Sequence, residues 1–493
     1  MNEIINNLKE LLCGFDAASP LLFNTGLFLL LFLGFLLVYQ SLSRVQWLKM
    51  IFVILFSLYF YYKSSAEYCF ILLGVCLFDF VLGNILGHTE NIKARKVMVA
   101  VNVVVNIGML CYFKYLNLIL QTFADIASVD FDPFDIILPA GISFFTFRSI
   151  SYIVDIYRRE IEPCGNFLHY TFFLTFFPPL LAGPVVRAKD FLPQIKNNPI
   201  ADHAMVSAGF FLIICGLVKK VVIADYISGN FVDRIFDNPS LYTGLENLLG
   251  VYGFALQLYC DFSGYSDMAI GIALLLGFRF KDNFDSPYKS QSPTEFWRRW
   301  HISLSSWLRD YLYIPMGGSR TTKLRSHANL VTTMVLGGLW HGASWMYVIW
   351  GAWNGILLVL HKIYKNIFHI TKDDKPNPVR RFFNILITFN LMAFGFMFFR
   401  SESMEKVGDM ITAITTDFHP EVWSQILDGY FMIVIAILIG FLLHFSPKGW
   451  TEKLRDSFTA QSLIVQGIIL ALIILAIIQV RSSDLVPFIY LQY

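Results

Sequence analysis

Two histidines, His301 and His341, lie in sequence contexts suited to acid–base chemistry inside a membrane. His341 follows two glycines and precedes a third, at a break between the apolar segments 328–339 and 343–361, which together are predicted to form a hairpin with its turn at these glycines. Glycine lets backbone or ligand approach closely, and apolar surroundings favour the neutral imidazole. A neutral imidazole can accept a proton from a hydroxyl, as acyl transfer from a thioester requires. The alternative is a buried histidine hydrogen-bonded to a helix carbonyl.

His301 follows a basic aromatic run and opens the amphipathic segment Ile302–Ile314. Such a segment is typical of a helix that lies at the membrane interface. Arg298 and Arg299, just before it, are suited to binding the phosphates of a coenzyme or carrier protein. They are equally suited to anchoring the helix to anionic lipid headgroups. Taken alone, His301 is either a second catalytic histidine or a structural polar group.

The carboxylates in this region favour structural roles. Asp261 and Asp267 are six residues apart, so they share one helix face poorly, and the stretch between them is typical of a helix start with capping groups. Asp310 either orients a histidine or pairs with a nearby arginine. No His, Cys, Asp or Glu set has the spacing of a metal site, and none of the seven cysteines forms a C-x-x-C pair. We therefore expect neither a metal nor a bound cofactor. Three further histidines have no distinctive flanking pattern: His169, His203 and His444.

The elements that hold these residues are predicted to be transmembrane helices. Of the 493 residues, 56% are hydrophobic and only 15% are charged, whereas soluble domains carry about 25% charged residues. Leu21–Leu42 and Ser462–Val480 contain no charged residue, and about 20 helical residues cross a bilayer. These features predict an all-α, polytopic integral membrane protein that contacts membrane lipids. A net charge of +2 argues neither for nor against a nucleic-acid partner. The sequence has no long basic tail and no RNA- or DNA-binding signature, so we expect no such partner.

One domain covering residues 1–493 is the simplest organisation, with the motif-bearing core at about 70–360 and additional C-terminal spans within 382–480. Glycine and proline interrupt several apolar runs, as at Pro178–Pro179. Broken helices at membrane depth need protein or a water-filled cavity around them. The stretch 279–325 carries nine Lys or Arg against four acids. Because basic loops stay in the cytoplasm, the loop charges predict an N-terminus outside.

Several motifs in this order resemble those of the membrane-bound O-acyltransferase (MBOAT) family. The resemblance covers roughly residues 70–360. Within the family, the sequence is similar to the bacterial branch that contains alginate O-acetyltransferases and the D-alanyl transfer proteins of teichoic acids. The motifs are Leu138–Phe147, Phe176–Pro184, Trp297–Ser305, Trp307–Pro315 and Gly338–Gly342.

This resemblance implies a helical bundle with a central funnel or tunnel. The family's essential histidine falls on His341, and its second recurrent histidine falls on His301. In the family, a cytoplasmic thioester, either acetyl-CoA or an acyl carrier, donates an acyl group to a hydroxyl at or beyond the outer face. Four residues in or beside these motifs are candidates for binding substrate: Arg298, Arg299, Asp310 and Trp340.

The leading hypothesis is an O-acetyltransferase of the bacterial cytoplasmic (inner) membrane that modifies an exported polysaccharide or cell-envelope glycan. It would act with an extracytoplasmic acyltransferase or glycan partner. The alternative within the enzyme class is transfer of D-alanine from a carrier protein to teichoic acid. A transporter or channel for the glycan is the alternative from another class, with the histidines as proton relays. Transporters also contain broken helices and intramembrane ionisable residues, although no inverted repeat is visible in the sequence.

Overall fold

The computed structural model describes residues 9, 12–15, 20–42, 44–370 and 377–480, and these ranges contain helices and no β-strand. The first ten helices are α1 (Gly26–Ser41), α2 (Gln46–Ser65), α3 (Cys69–His88), α4 (Ile92–Leu110), α5 (Leu116–Ala127), α6 (Ile142–Tyr157), α7 (Phe167–Thr175), α8 (Ala188–Lys196), α9 (His203–Leu217) and α10 (Asp233–Asp237). The later ones are α11 (Gly244–Leu275), α12 (Pro293–Arg299), α13 (Ile302–Leu308), α14 (Lys323–His341), α15 (Trp345–Ile367), α16 (Pro378–Arg400), α17 (Met404–Thr416), α18 (Trp423–Phe445), α19 (Lys448–Thr459) and α20 (Leu463–Val480). π-Helical turns extend four of them: Cys111–Tyr115, Val218–Asp225, Ser228–Val232 and Arg309–Tyr313.

Six helical stretches within the described residues are long and apolar enough to cross a membrane, and a seventh is added when the bent pair α19 and α20 counts as one span. The predicted all-α, polytopic membrane fold is thereby confirmed. The chain divides into two compact units, one of residues 1–209 and 269–280, the other of residues 210–268 and 281–493. The description of 1–493 as a single functional domain stays a prediction.

The first unit is built around aromatic side chains and a buried break in the helices. Residues 176–187 are irregular and wholly buried, and Phe177 at their start donates its backbone N–H to the Ser57 hydroxyl, 3.2 Å away. Protein therefore covers the broken backbone, as membrane depth requires, and the predicted interruption at Pro178–Pro179 is confirmed. Seven phenylalanine rings of the described residues have centroids 5.0–6.5 Å from that of Phe177: Phe23, Phe28, Phe32, Phe35, Phe56, Phe60 and the adjacent Phe176.

The second unit contains most of α11, a continuous helix of 32 residues. The predicted helix start at Asp261–Asp267 is therefore wrong, because both carboxylates lie inside this helix. Lysines of the π-helical turn Val218–Asp225 neutralise them: Lys219 Nζ lies 2.6 Å from Asp267, and Lys220 Nζ lies 2.8 Å from Asp261. Because lysines neutralise their charges, these carboxylates can be buried within a continuous helix and do not have to lie at a helix end.

Gly264 accounts for the close approach of that π-helical turn to α11. A Cβ on Gly264 would lie 2.8 Å from the carbonyl oxygen of Gly216 and 3.1 Å from the backbone nitrogen of Lys220. Here glycine serves packing rather than a break in the helix, although a lone glycine in a helix is usually unfavourable.

The hairpin of α14 and α15 is confirmed, and glycines bring its two helices together. A Cβ on Gly338 would collide with the Tyr347 carbonyl oxygen, and one on Gly351 with the Met334 carbonyl oxygen. His341 is the last residue of α14, and Gly342 follows it as the cap. Only glycine fits at 342, because any Cβ there would overlap the Tyr347 ring. The glycine-rich break thus fixes His341 at a tight turn inside the unit.

Candidate active site

His341 lies in an aromatic enclosure of the second unit. Its side chain is buried at the end of α14. Its ring meets Trp340 at a centroid distance of 5.0 Å, Trp350 edge-on at 5.1 Å and Phe399 at 5.5 Å. Apolar surroundings in general favour the neutral form of an imidazole, which is the form that can accept a proton.

His301 is the second buried imidazole, with no exposed surface. It occupies the left-handed backbone region, with φ +42°, directly before α13. A non-glycine residue in this conformation stores about 1–3 kcal/mol, which the surrounding structure must offset. Burial lowers the pKa of the His301 imidazole to about 3, so the ring is neutral at physiological pH.

The His301 ring is held between polar and aromatic neighbours. Its Nδ1 lies 3.2 Å from Oδ1 of Asn283, and the backbone N–H of Ile302 donates to the Asn283 carbonyl at 2.9 Å. Phe262 of α11 packs edge-on against the ring, with centroids 4.5 Å apart. These contacts come from three separate parts of the chain, so tertiary packing places this imidazole.

The structure brings His301 and His341 together. Their ring centroids are 6.5 Å apart, and Trp340 lies 6.1 Å from the His301 ring. Two imidazoles at this separation can both contact one small reacting group, with one ring as general base and the other as a hydrogen-bond partner. Among the described residues, no group of three or more His, Cys, Asp or Glu is arranged to hold a metal ion.

A large basic cavity lies beside the two histidines, within the same unit. Its volume is about 1170 Å³, and residues of α12 to α15 line it. Four Lys or Arg face it against one acidic residue, Glu295; the basic residues are Arg298, Arg309, Lys362 and Lys365.

Neither imidazole lines this cavity, but their neighbours do. Ile302, next to His301, belongs to the lining, and so does Trp297. The Trp297 ring lies 5.8 Å from the Trp350 ring, which in turn contacts His341. Along this route, two aromatic side chains in series, Trp297 and Trp350, separate the cavity from His341.

The four predicted substrate-binding residues lie in different settings. Arg298 faces the cavity. Arg299 instead pairs with Glu295 at 2.9 Å and Asp285 at 3.3 Å, and Asp310 pairs with the neighbouring Arg309 at 2.7 Å. Trp340 is buried between the two histidines. Substrate binding by all four stays a prediction.

Sequence reasoning missed three features of this site. Asn283 carried no signal, because an isolated asparagine in a charged stretch resembles any loop residue. Lys362 and Lys365 carried no signal either, because they directly follow the apolar segment 343–361 and basic residues there are typical of the end of a membrane helix. His444, which seemed ordinary, is buried, accepts a hydrogen bond from the Tyr288 backbone N–H at 3.1 Å and meets the Tyr259 ring edge-on at 4.6 Å.

Comparison with known proteins gives a consistent result. The sequence pattern of the MBOAT, membrane-bound O-acyltransferase family, matches residues 157–404, a range that contains both histidines and the cavity. A protein of Pseudomonas aeruginosa named probable alginate O-acetylase AlgI is 40% identical over 404 residues, which cover 80% of this chain and 75% of the relative.

Two further relatives carry other names. The peptidoglycan O-acetyltransferase of Helicobacter pylori is 35% identical over 419 residues, which cover 78% of each chain. The teichoic acid D-alanyltransferase of Bacillus subtilis is 30% identical over 286 residues, which cover 54% of this chain and 70% of the relative.

Proposed function

Because the chain belongs to the membrane-bound O-acyltransferase family, we propose that it moves an acetyl group from a cytoplasmic thioester to hydroxyls of an exported polysaccharide or cell-envelope glycan. Relatives named as O-acetylases or O-acetyltransferases align over about four fifths of the chain at 35–40% identity, whereas the D-alanyltransferase of Bacillus subtilis aligns over 54% at 30%. This difference favours acetyl over D-alanyl as the cargo. The family is one of acyltransferases, which decides against the transporter alternative.

The observation that carries the proposal is the pair of buried imidazoles, 6.5 Å apart, inside the stretch that matches the family. In the proposed reaction, His341 takes the proton of the acceptor hydroxyl, and the oxygen attacks the thioester carbonyl carbon. The carbon–sulfur bond breaks, and the departing thiolate takes the proton from the His341 imidazolium. The products are an acetyl ester and a free thiol. The hydroxyl belongs to the sugar itself or to a partner protein that relays the acetyl group outward.

The basic cavity is the proposed site of the donor. Its four Lys or Arg against one acid match the phosphates of acetyl-CoA, which form charge-assisted hydrogen bonds with such groups. No cofactor is needed beyond this thioester, which is consumed as a substrate.

Transfer of labelled acetyl from acetyl-CoA to a glycan acceptor by the purified protein in detergent tests the proposal. The expected result is acceptor-dependent release of coenzyme A with one labelled ester per thiol. Transfer from a D-alanyl carrier protein in place of acetyl-CoA would overturn the assignment of the cargo. Absence of both reactions, with the glycan and a candidate relay protein supplied, would overturn the proposed function.

Arg298→Gln is expected to raise the KM for acetyl-CoA about tenfold, because one charge-assisted bond to phosphate contributes about 1.5–3 kcal/mol, part of which water replaces. The kcat should change little, since Arg298 lies on the cavity wall and not beside the imidazoles. Steady-state kinetics with varied acetyl-CoA measure both constants. Arg455→Gln, an exposed arginine of α19, is the matched control. Equal KM values for the two variants would contradict a donor site in the cavity.

We further propose that the protein lies in the bacterial inner membrane with its N-terminus outside and works with an extracytoplasmic acyltransferase or glycan partner. The basic stretch 279–325 supports a cytoplasmic position for the cavity side. A reporter enzyme that is active only outside the cytoplasm, fused before α1, is expected to be active. Activity of a cytoplasmic reporter at the same position would reverse the orientation.

A further inference from the structure

We propose that Asn283 is a positioning residue that keeps the proton of His301 on Nδ1, so that Nε2 presents a lone pair to the acceptor hydroxyl. This inference rests on the proposed function for its catalytic meaning, although the proton position can be measured without any reaction. It assigns a role to a residue outside every motif that the sequence analysis singled out.

Three contacts fix the orientation of the Asn283 side-chain amide, which is buried. The backbone N–H of Ser303 can only donate, and it lies 3.2 Å from Oδ1. The Ser303 hydroxyl donates to the same oxygen at 2.8 Å. On the other side, Nδ2 donates to the Ser266 hydroxyl of α11 at 3.2 Å. Turning the amide over would set its NH₂ group against the Ser303 N–H, so the oxygen must face this side.

The same oxygen lies 3.2 Å from Nδ1 of His301. An amide oxygen has only acceptor capacity, so Nδ1 must carry the proton of the neutral ring. Nε2 is then the unprotonated nitrogen. It is buried, and it has no hydrogen-bond partner among the described residues. A buried lone pair without a donor is costly, and a hydroxyl bound at this point would satisfy it.

The backbone around His301 supports the same arrangement. The residue adopts a left-handed conformation, and its neighbour Ile302 is tied to the Asn283 carbonyl at 2.9 Å. Asn283 therefore holds His301 twice, through its backbone and through its side chain. A strained backbone conformation of this kind persists where surrounding contacts hold it in place, and it is often found at functional sites.

This tautomer separates two roles for His301. With the proton on Nδ1, Nε2 cannot donate a hydrogen bond to the oxyanion that develops on the thioester carbonyl. It can accept one from the incoming hydroxyl. His301 therefore orients the acceptor hydroxyl, and His341, whose ring centre is 6.5 Å away, remains the group that removes the proton.

Nitrogen-15 NMR of the full-length protein, labelled at histidine, reports the tautomer directly. The His301 signals are assigned by their loss in His301→Gln. The expected spectrum shows a protonated Nδ1 and an unprotonated Nε2. A proton found on Nε2 in the wild-type protein would overturn the inference, even if acetyl transfer is normal. Because the spectrum needs no substrate, failure of the proposed function would leave this result intact.

Two substitutions at Asn283 then test what the contact does. Asn283→Leu keeps the size but removes the acceptor, so the tautomer should become mixed and kcat should fall about 10- to 100-fold, with the KM for acetyl-CoA within twofold of wild type. Asn283→Asp keeps an acceptor oxygen toward Nδ1 whether or not it is protonated, and it should retain kcat within about threefold. Asn230→Leu, the same substitution at a partly buried asparagine whose side-chain amide donates to the Tyr226 carbonyl oxygen, is the matched control and should resemble wild type.

The positioning role is overturned if Asn283→Leu keeps the wild-type tautomer and kcat, or if Asn283→Asp is as impaired as Asn283→Leu. Size-exclusion profiles in detergent establish that each variant is folded. If Asn283→Leu does not fold, the wild-type tautomer and the activity of Asn283→Asp still test the positioning role of Asn283. The same loss in Asn230→Leu as in Asn283→Leu would show that the substitution itself is harmful, and it would overturn the role of the Asn283 oxygen as acceptor.

Discussion

Replacement of His341 by alanine should lower acetyl transfer by about 10²–10⁴-fold, the range that a positioned general base contributes. The ring is buried among Trp340, Trp350 and Phe399, and none of these three side chains can act as a base in its place. The KM for acetyl-CoA should stay near the wild-type value, because His341 does not line the basic cavity. The kcat and the KM for acetyl-CoA are obtained from rates of thiol release by the purified protein in the presence of a glycan acceptor.

Truncating a buried ring also leaves a void, so a second variant is needed to separate chemistry from packing. His341→Gln fills most of the space and keeps a hydrogen-bonding group, but an amide cannot take up a proton at neutral pH. It should be as inactive as the alanine variant while unfolding at nearly the wild-type temperature. His327→Ala, at the start of the same helix, is the matched control and should be fully active. Transfer by His341→Gln within tenfold of wild type would remove His341 from the role of base.

The main parts of this site could be predicted because their signals are local. Three glycines around His341 indicated a tight turn, and the hairpin of α14 and α15 has that turn. The alternation of apolar and polar residues in Ile302–Ile314 indicated an amphipathic helix directly after His301, and α13 begins at Ile302. In both places, neighbouring residues in the sequence determine the local backbone.

What could not be predicted depends on partners distant in the sequence. The stretch from Asp261 to Asp267 contains serine, glycine and aspartate, which are typical of helix starts, yet it is the middle of α11. Lys219 and Lys220, some 40 residues earlier, make that helix possible by pairing with its carboxylates. Asn283 is similar, because its role depends on Ser303 and Ser266 lying on either side of it.

Lys220 should therefore be among the most sensitive residues for stability. Its side chain is 2% exposed and contacts two carboxylates, Asp225 at 2.7 Å and Asp261 at 2.8 Å. Lys220→Met would remove the cation that contacts both carboxylates, and breaking a buried pair in this way costs about 3–5 kcal/mol. We expect a clearly lower midpoint in chemical unfolding in detergent, followed by tryptophan fluorescence.

The loss of stability in Lys220→Met should also lower the rate of acetyl transfer, because α11 carries both the ion pair and the residues that support His301. Phe262, which packs on the His301 ring, is the residue after Asp261, and Ser266, which binds Asn283, is little more than one turn further along the helix. Adding Asp261→Asn to Lys220→Met removes the more buried of the two stranded charges and should recover part of the stability and of the transfer rate. Lys219→Met is the matched control. Its pair with Asp267 is 29% and 21% exposed, so the remaining carboxylate is less enclosed by protein than Asp261 and the loss should be smaller. If the Lys220→Met and Lys219→Met midpoints are equal, or if Asp261→Asn brings no recovery, then the buried charge cluster does not hold α11 in place and another contact must position the His301 support.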